Sequence, residues 1–250
     1  MYIASPKLYD EENMEVLLVI IVALLPAALL WLYIWKQDSK KEPTSWLISA
    51  VVYGALICGP VAVVETGIDS VLFDVERGPQ TLCDTTAMAF FCAAIPEECF
   101  KLLALWLILR RNPYFDEHFD GIVYAVSVGL GFASVENLLY LINNMDDWMS
   151  VALVRSLMAV PGHYAFAVLM GYFYSIYHFV NSSPRVAACV IGIPVLAHGI
   201  YDALLMTTII DLELGAFCVI VLIYLLVKLH KYVQKRVVEL VRKDHMNAVE

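Results

Sequence analysis

The chain of 250 residues is 61% hydrophobic and only 16% charged, a balance that excludes a soluble globular domain. Its net charge of -9 is divided between loops and apolar stretches instead of forming one surface, and nothing in it supports nucleic-acid binding. The expected class is all-α: one integral membrane domain over residues 1–250, a polytopic bundle of about seven transmembrane helices.

In chain order, mostly apolar segments near the roughly 20 residues needed to cross about 30 Å of hydrocarbon run Glu15 to Trp35, Trp46 to Thr66, Thr85 to Leu109, Gly121 to Ile142, Ser150 to Val180, Val186 to Thr208 and Leu212 to Leu229. The first follows an acidic stretch (Asp10, Glu11, Glu12) and lacks a convincing cleavage site, so it reads as a retained span. Pro161-Gly162 interrupts the fifth, which is too long for one upright crossing. An interfacial helix followed by a span is expected there, with one tilted, kinked helix as the alternative. Cys58, Cys92, Cys99, Cys189 and Cys218 lie inside apolar stretches and are expected to pack as small hydrophobes; Cys83 lies nearest a loop.

Lysine and arginine in short loops favour the cytoplasmic side. One set of alternate loops holds Lys36, Lys40 and Lys41, then Arg110 and Arg111, then Arg185, then the basic tail from Lys228 to Lys243; the other set holds Lys7 and Arg77. This alternation fits seven crossings, with residues 1–14 outside and a cytoplasmic tail at 230–250 that reads as a solvated helix end at the membrane surface. Trp31, Trp46 and Trp148 read as interfacial anchors.

Ionisable residues inside hydrocarbon cost at least about 2.5–3.5 kcal/mol each on insertion scales, so each needs a reason. The third segment carries Pro96-Glu97-Glu98-Cys99-Phe100-Lys101, the fourth Phe132 and Glu136-Asn137, the fifth Arg155 and His163, the sixth His198 and Asp202. Glu97 and Lys101, like His198 and Asp202, are four apart and share a helix face. Pro96 and Pro161 break the backbone ladder just before Glu97 and His163, while Gly129 and Gly131 allow close approach before Glu136. An outward-opening polar cavity within the bundle is the expectation. The packing explanation for Lys101 is an ion pair with one glutamate, which leaves the other unsatisfied. For His198 and Asp202 it is a simple helical hydrogen bond, for His163 a packed histidine, and for Arg155 an interfacial cation. Glu65, Asp69 and Asp74 read as the outer end of the second helix and its loop, and His118 as a loop residue.

Taken in order, Glu97-Glu98-x-x-Lys101, Phe132-x-x-x-Glu136-Asn137, Arg155 with His163, and His198-x-x-x-Asp202 resemble the motifs of the PrsW family of intramembrane proteases, related to the CAAX-protease-like group. The resemblance covers about Thr85 to Met206. It implies an intramembrane endopeptidase of the bacterial plasma membrane that cuts in or near the transmembrane segment of a single-pass protein, such as site-1-like cleavage of an anti-sigma factor on the outer side. CAAX prenyl endopeptidases differ, with arginine four positions after the second glutamate and histidine where this chain has Glu136, so prenyl-protein processing is not expected.

Peptide hydrolysis needs a nucleophile, a proton donor and an oxyanion stabiliser. Without a convincing Ser-His or Cys-His arrangement, water is the expected nucleophile. Glu97 or Glu98 would activate it with help from His163 or Glu136, His198 and Asp202 would orient the scissile carbonyl, and Lys101, Asn137 and Arg155 would support them. A metal-free, glutamate-dependent site is expected; zinc is the alternative, since carboxylates and histidines are ordinary zinc ligands, although no H-E-x-x-H signature is present. Outside peptidases, a proton-coupled transporter would also bury carboxylates and histidines, and a non-catalytic receptor or scaffold would keep them for packing.

Overall fold

The computed structural model describes residues 6–73 and 77–247. Among these there is no strand. The helices are α1 (Pro6–Gln37), α2 (Thr44–Leu72), α3 (Leu82–Met88), α4 (Ile95–Leu109), α5 (Asp120–Asn143), α6 (Trp148–Val154), α7 (Val160–Phe179), α8 (Pro184–Ile210) and α9 (Leu212–Asn247). A π turn, Ala89–Ala94, joins α3 to α4, and another, Arg155–Ala159, joins α6 to α7, so each pair forms one uninterrupted rod.

Both π turns have the same cause. Pro96 and Pro161 stand at the second positions of α4 and α7, where the ring supplies no N–H and crowds the carbonyl four residues back. Widening the preceding turn relieves the crowding: the N–H of Ile95 reaches the carbonyl of Phe90, and that of Val160 the carbonyl of Arg155. The fifth predicted span is therefore one continuous helical element with a locally widened turn, rather than an interfacial helix followed by a separate span.

Among the described residues, six helical stretches are long and apolar enough to cross a membrane. The rod from α3 to α4, 28 residues long, also has membrane-spanning length but is loaded with Glu97, Glu98 and Lys101, so the described bundle offers six or seven crossings. The central helix is α5, 72% of whose most apolar stretch is buried, against 11% for α9. It packs on α1, α2 and α7. Two glycines permit the α2–α5 crossing: a Cβ on Gly54 would lie 2.0 Å from the carbonyl oxygen of Val128, and one on Gly131 would lie 2.2 Å from that of Val51. Trp31 donates from Nε1 to Ser127 Oγ at 2.9 Å, pinning α1 to the same helix. Leu56, Val63, Phe217 and Ile220 remain exposed on the outer faces of α2 and α9, as suits side chains that meet lipid.

The tail beyond Leu229 continues α9 and is more than a solvated helix end. Val233, Val237 and Leu240, spaced to share one face, are buried in the cluster that includes Phe115 and Phe119. Asp244 extends that face and accepts the backbone N–H groups of His118 at 2.9 Å and Phe119 at 2.8 Å, tying α9 to the segment just ahead of α5. Lys231, Lys235 and Arg242 stay on the exposed face.

Candidate active site

A cavity of about 590 Å³ opens among the C-terminal halves of α2, α5 and α8 and the N-terminal halves of the two proline-broken rods. Glu97, Glu136, Arg155, His163, His198 and Asp202 all line it. The two π turns explain part of this convergence, since each shifts the register just ahead of the polar group it serves, Glu97 on one rod and His163 on the other.

Lys101 is the hub behind the wall, only 3% exposed. Its Nζ donates to Glu97 Oε2 at 2.8 Å and to Glu98 Oε1 at 2.9 Å, and lies 3.2 Å from His163 Nδ1. One lysine thus serves both glutamates, contrary to the expectation that it would satisfy only one. The helical geometry permits this because positions i−3 and i−4 flank the path of a long side chain that leans toward the helix N-terminus. The Phe132 ring closes the ammonium's remaining side, its centroid 4.4 Å from Nζ.

Because an ammonium only donates, His163 presents its Nδ1 lone pair to Lys101 and its Nε2–H to Glu136 Oε2, 2.8 Å away. Arg155 holds the same carboxylate from the other side, donating from Nη2 at 2.8 Å. Its Nε donates to Asn137 Oδ1 at 2.9 Å, and Asn137 Nδ2 donates in turn to the carbonyl of Ala23 on α1 at 2.8 Å. Arg155 also stacks over Tyr140, 3.8 Å from the ring centroid. These contacts make Asn137 and Arg155 an orienting frame for Glu136. On α8, His198 faces Glu98 Oε1 through Nδ1 at 3.0 Å and Asp202 Oδ2 through Nε2 at 3.2 Å, its ring stacked on Phe166 with centroids 4.9 Å apart.

All nine residues singled out from the sequence therefore belong to one connected network, in two layers. Glu98, Lys101 and Asn137 are buried at its back, and the other six face the cavity. Sequence reasoning passed over Glu65, which it assigned to a helix end. In the structure α2 brings Glu65 onto the cavity wall, with Oε1 buried and without a hydrogen-bond partner. Its place near the end of a predicted span, on the same side as Glu136 and Asp202, was the available signal.

Ligand atoms of Glu97, His163 and His198 lie within 4.8 Å of one another. His163 Nδ1 is 3.9 Å from Glu97 Oε2, and His198 Nε2 is 3.9 Å from Glu97 Oε1. Two imidazoles and a carboxylate form an ordinary zinc donor set. The far nitrogen of each ring already faces a carboxylate, Glu136 or Glu98, as the outer contacts of metal-binding histidines commonly do. The donor types fit a zinc ion, which would take the place of the Lys101 N–H at His163 Nδ1 and of the Asp202 contact at His198 Nε2.

A bundle with such a polar pocket among lipid-facing helices fits an intramembrane hydrolytic enzyme. Residues 42–229 match the family model described as PrsW family intramembrane metalloprotease. The chain is 34% identical over 181 residues to "Protease PrsW" of Oceanobacillus iheyensis, covering 72% of this chain and 79% of that protein. It is 32% identical to "Protease PrsW" of Geobacillus kaustophilus, over 72% and 75% of the two chains, and 31% identical to "Protease PrsW" of Bacillus subtilis, over 71% and 78%. No solved structure matches it. The chain belongs to the PrsW family of intramembrane proteases; it is a peptidase and a multi-pass integral membrane protein.

Proposed function

We propose that this peptidase hydrolyses a peptide bond in or beside the transmembrane segment of a single-pass membrane protein, on the outer side of the bacterial membrane, with an anti-sigma factor as the kind of substrate expected. The observation that carries this reading is the cavity itself, which holds carboxylates, imidazoles and a guanidinium beside a bundle whose outer faces are apolar. Such a pocket admits water and a polar peptide bond where the surrounding lipid excludes both. The pocket is lined from the C-terminal halves of α2, α5 and α8, the outer halves under the Lys/Arg pattern.

Of the two mechanisms read from the sequence, the donor set and the family description favour the metal-dependent one. Glu97, His163 and His198 would hold zinc, which when bound supplies Lewis-acid polarisation and a more acidic water. Glu136 fixes the His163 ring through Nε2, and Glu98 fixes His198 through Nδ1. Lys101 bridges Glu97 and Glu98 through ion pairs at 2.8 and 2.9 Å, fixing the position of the carboxylate that faces the cavity. Asp202 Oδ2, on the cavity wall beside His198, is placed to take a proton from the attacking water and return it to the departing amide nitrogen. Arg155 borders the same space and orients the substrate carbonyl.

Reconstitution in proteoliposomes with candidate single-pass proteins tests the reading. Cleavage by the wild type, lost in Glu97→Ala and His163→Ala, is the expected result; equal product from all three overturns the protease assignment. Loss on strong chelation with recovery on added zinc supports the metal-dependent form. Full activity in chelator returns the site to a glutamate-only mechanism.

A further inference from the structure

A second polar cluster lies at the opposite end of the bundle. Asp38 follows α1, and Glu117 and Asp120 stand at the entry to α5; ligand oxygens of all three lie within 4.8 Å of one another. Along α5, Asp120 is about 24 Å from Glu136 at 1.5 Å per residue, so this group is separate from the cavity. Asp38 is 3% exposed and Asp120 is 0% exposed.

Each of these two aspartates has one oxygen accounted for. Asp38 Oδ1 accepts the N–H of Lys40 at 3.0 Å, and Asp120 Oδ2 accepts the N–H groups of Asp116 at 3.1 Å and Glu117 at 2.7 Å. The remaining oxygens, Asp38 Oδ2 and Asp120 Oδ1, are buried with no hydrogen-bond partner. Leaving such an acceptor unpaired is costly, and more so when it is charged.

The neighbouring cations direct their hydrogen bonds to other acceptors. Lys40 Nζ donates to Asp116 Oδ2 at 2.6 Å, Lys41 Nζ donates to the backbone carbonyls of Asp38 and Trp35, and His118 Nδ1 pairs with Asp244 Oδ1 at 2.8 Å. Lys40 and Lys41 act on the cluster at a distance, but no described side chain donates to the two buried oxygens, Asp38 Oδ2 and Asp120 Oδ1. Oxygens sharing one hard cation at about 2.0–2.6 Å stand no more than about 4–5 Å apart, the spacing found here.

We propose that Asp38, Glu117 and Asp120 form a binding site for a hard divalent cation of the magnesium or calcium class, clamping the α1–α2 connection to the head of α5. All three ligands are carboxylate oxygens, which suit such ions better than they suit zinc. The clamp is structural and independent of the peptidase chemistry. Under the Lys/Arg pattern it faces the cytoplasm.

The test uses the full-length chain in nanodiscs, stripped with EDTA and titrated with terbium, whose luminescence nearby Trp35 can sensitise, followed by competition with magnesium and with calcium. One saturable terbium per chain, displaced by either ion, is expected, together with a rise in unfolding temperature of at least about 2–4 °C at saturating divalent ion. Asp38→Asn should abolish the signal. Glu117→Gln, a milder change at a partly exposed position, should weaken binding at least about tenfold while the apo chain unfolds as the wild type does. No saturable signal in the wild type overturns the site, as does equal binding by the Asp38→Asn and Glu117→Gln chains. Displacement by magnesium alone or by calcium alone identifies which ion the geometry accepts.

Discussion

Replacing Lys101 with Met removes the ammonium that Glu97 and Glu98 share while nearly preserving side-chain length. At an effective dielectric of about 20, unit charges 2.8 Å apart attract by about 6 kcal/mol, and Lys101 has two such partners at 2.8 and 2.9 Å. The desolvation that burial of the ammonium imposes in the wild type offsets much of this, so the expected net loss is about 3–5 kcal/mol, typical of a buried ion pair deprived of one member. The cost falls unevenly. Glu97 borders the cavity, where water can solvate it, whereas Glu98 is 0% exposed and keeps only His198. Lys101→Met should therefore be strongly destabilised, and Lys101→Met with Glu98→Gln should recover about 2 kcal/mol or more, because the double variant no longer buries an unpaired charge. Equilibrium unfolding in mixed micelles, followed by tryptophan fluorescence, measures both. A single variant within about 0.5 kcal/mol of wild type, or a double variant no more stable than the single, would refute the reasoning.

On α2, Gly54→Ala should cost about 1–3 kcal/mol, because its Cβ falls 2.0 Å from the Val128 carbonyl oxygen, while Gly59→Ala, with nothing within 4 Å, should be neutral or gain up to about 1 kcal/mol from helix propensity. The same unfolding assay compares them. In the cleavage assay, Glu65→Gln should lower turnover less than about tenfold, whereas Glu97→Ala should cost at least about 10²-fold; the reverse order would move the reacting centre toward α2. Glu42, which receives the Tyr124 hydroxyl at the α1–α2 connection, is raised by burial from 4.5 to about 7. Its stabilising contribution is complete below about pH 4.5 and is lost as pH rises through about 7. Glu42→Gln should therefore flatten the fall in unfolding midpoint between pH 5 and pH 8, and an unchanged slope would remove Glu42 as its source.

Helix number and membrane residence follow from composition read in windows. Crossing a bilayer demands a continuous apolar length that few other constraints imitate, so Leu212 onward and Trp46 onward announce themselves one segment at a time. The same economy made Glu97, Glu98, Lys101, Glu136, His163, His198 and Asp202 conspicuous: a charge is expensive in hydrocarbon, and its presence there is visible without a partner in sight. Partnership is another matter. It depends on how each rod is rotated and tilted, which arises from contacts between segments far apart in the chain. That His163 joins the lysine already shared by two glutamates within α4, that Glu98 lies behind the cavity while Glu97 faces it, and that Glu65 joins from α2 depend on the packing set by the two proline-driven π turns and the Gly54 and Gly131 contacts. The clustering of Asp38 with Glu117 and Asp120 is of the same kind. In loops, acidic residues are unremarkable by composition, and only the packing of the α1–α2 connection against the head of α5 withdraws them from water and turns them into a site.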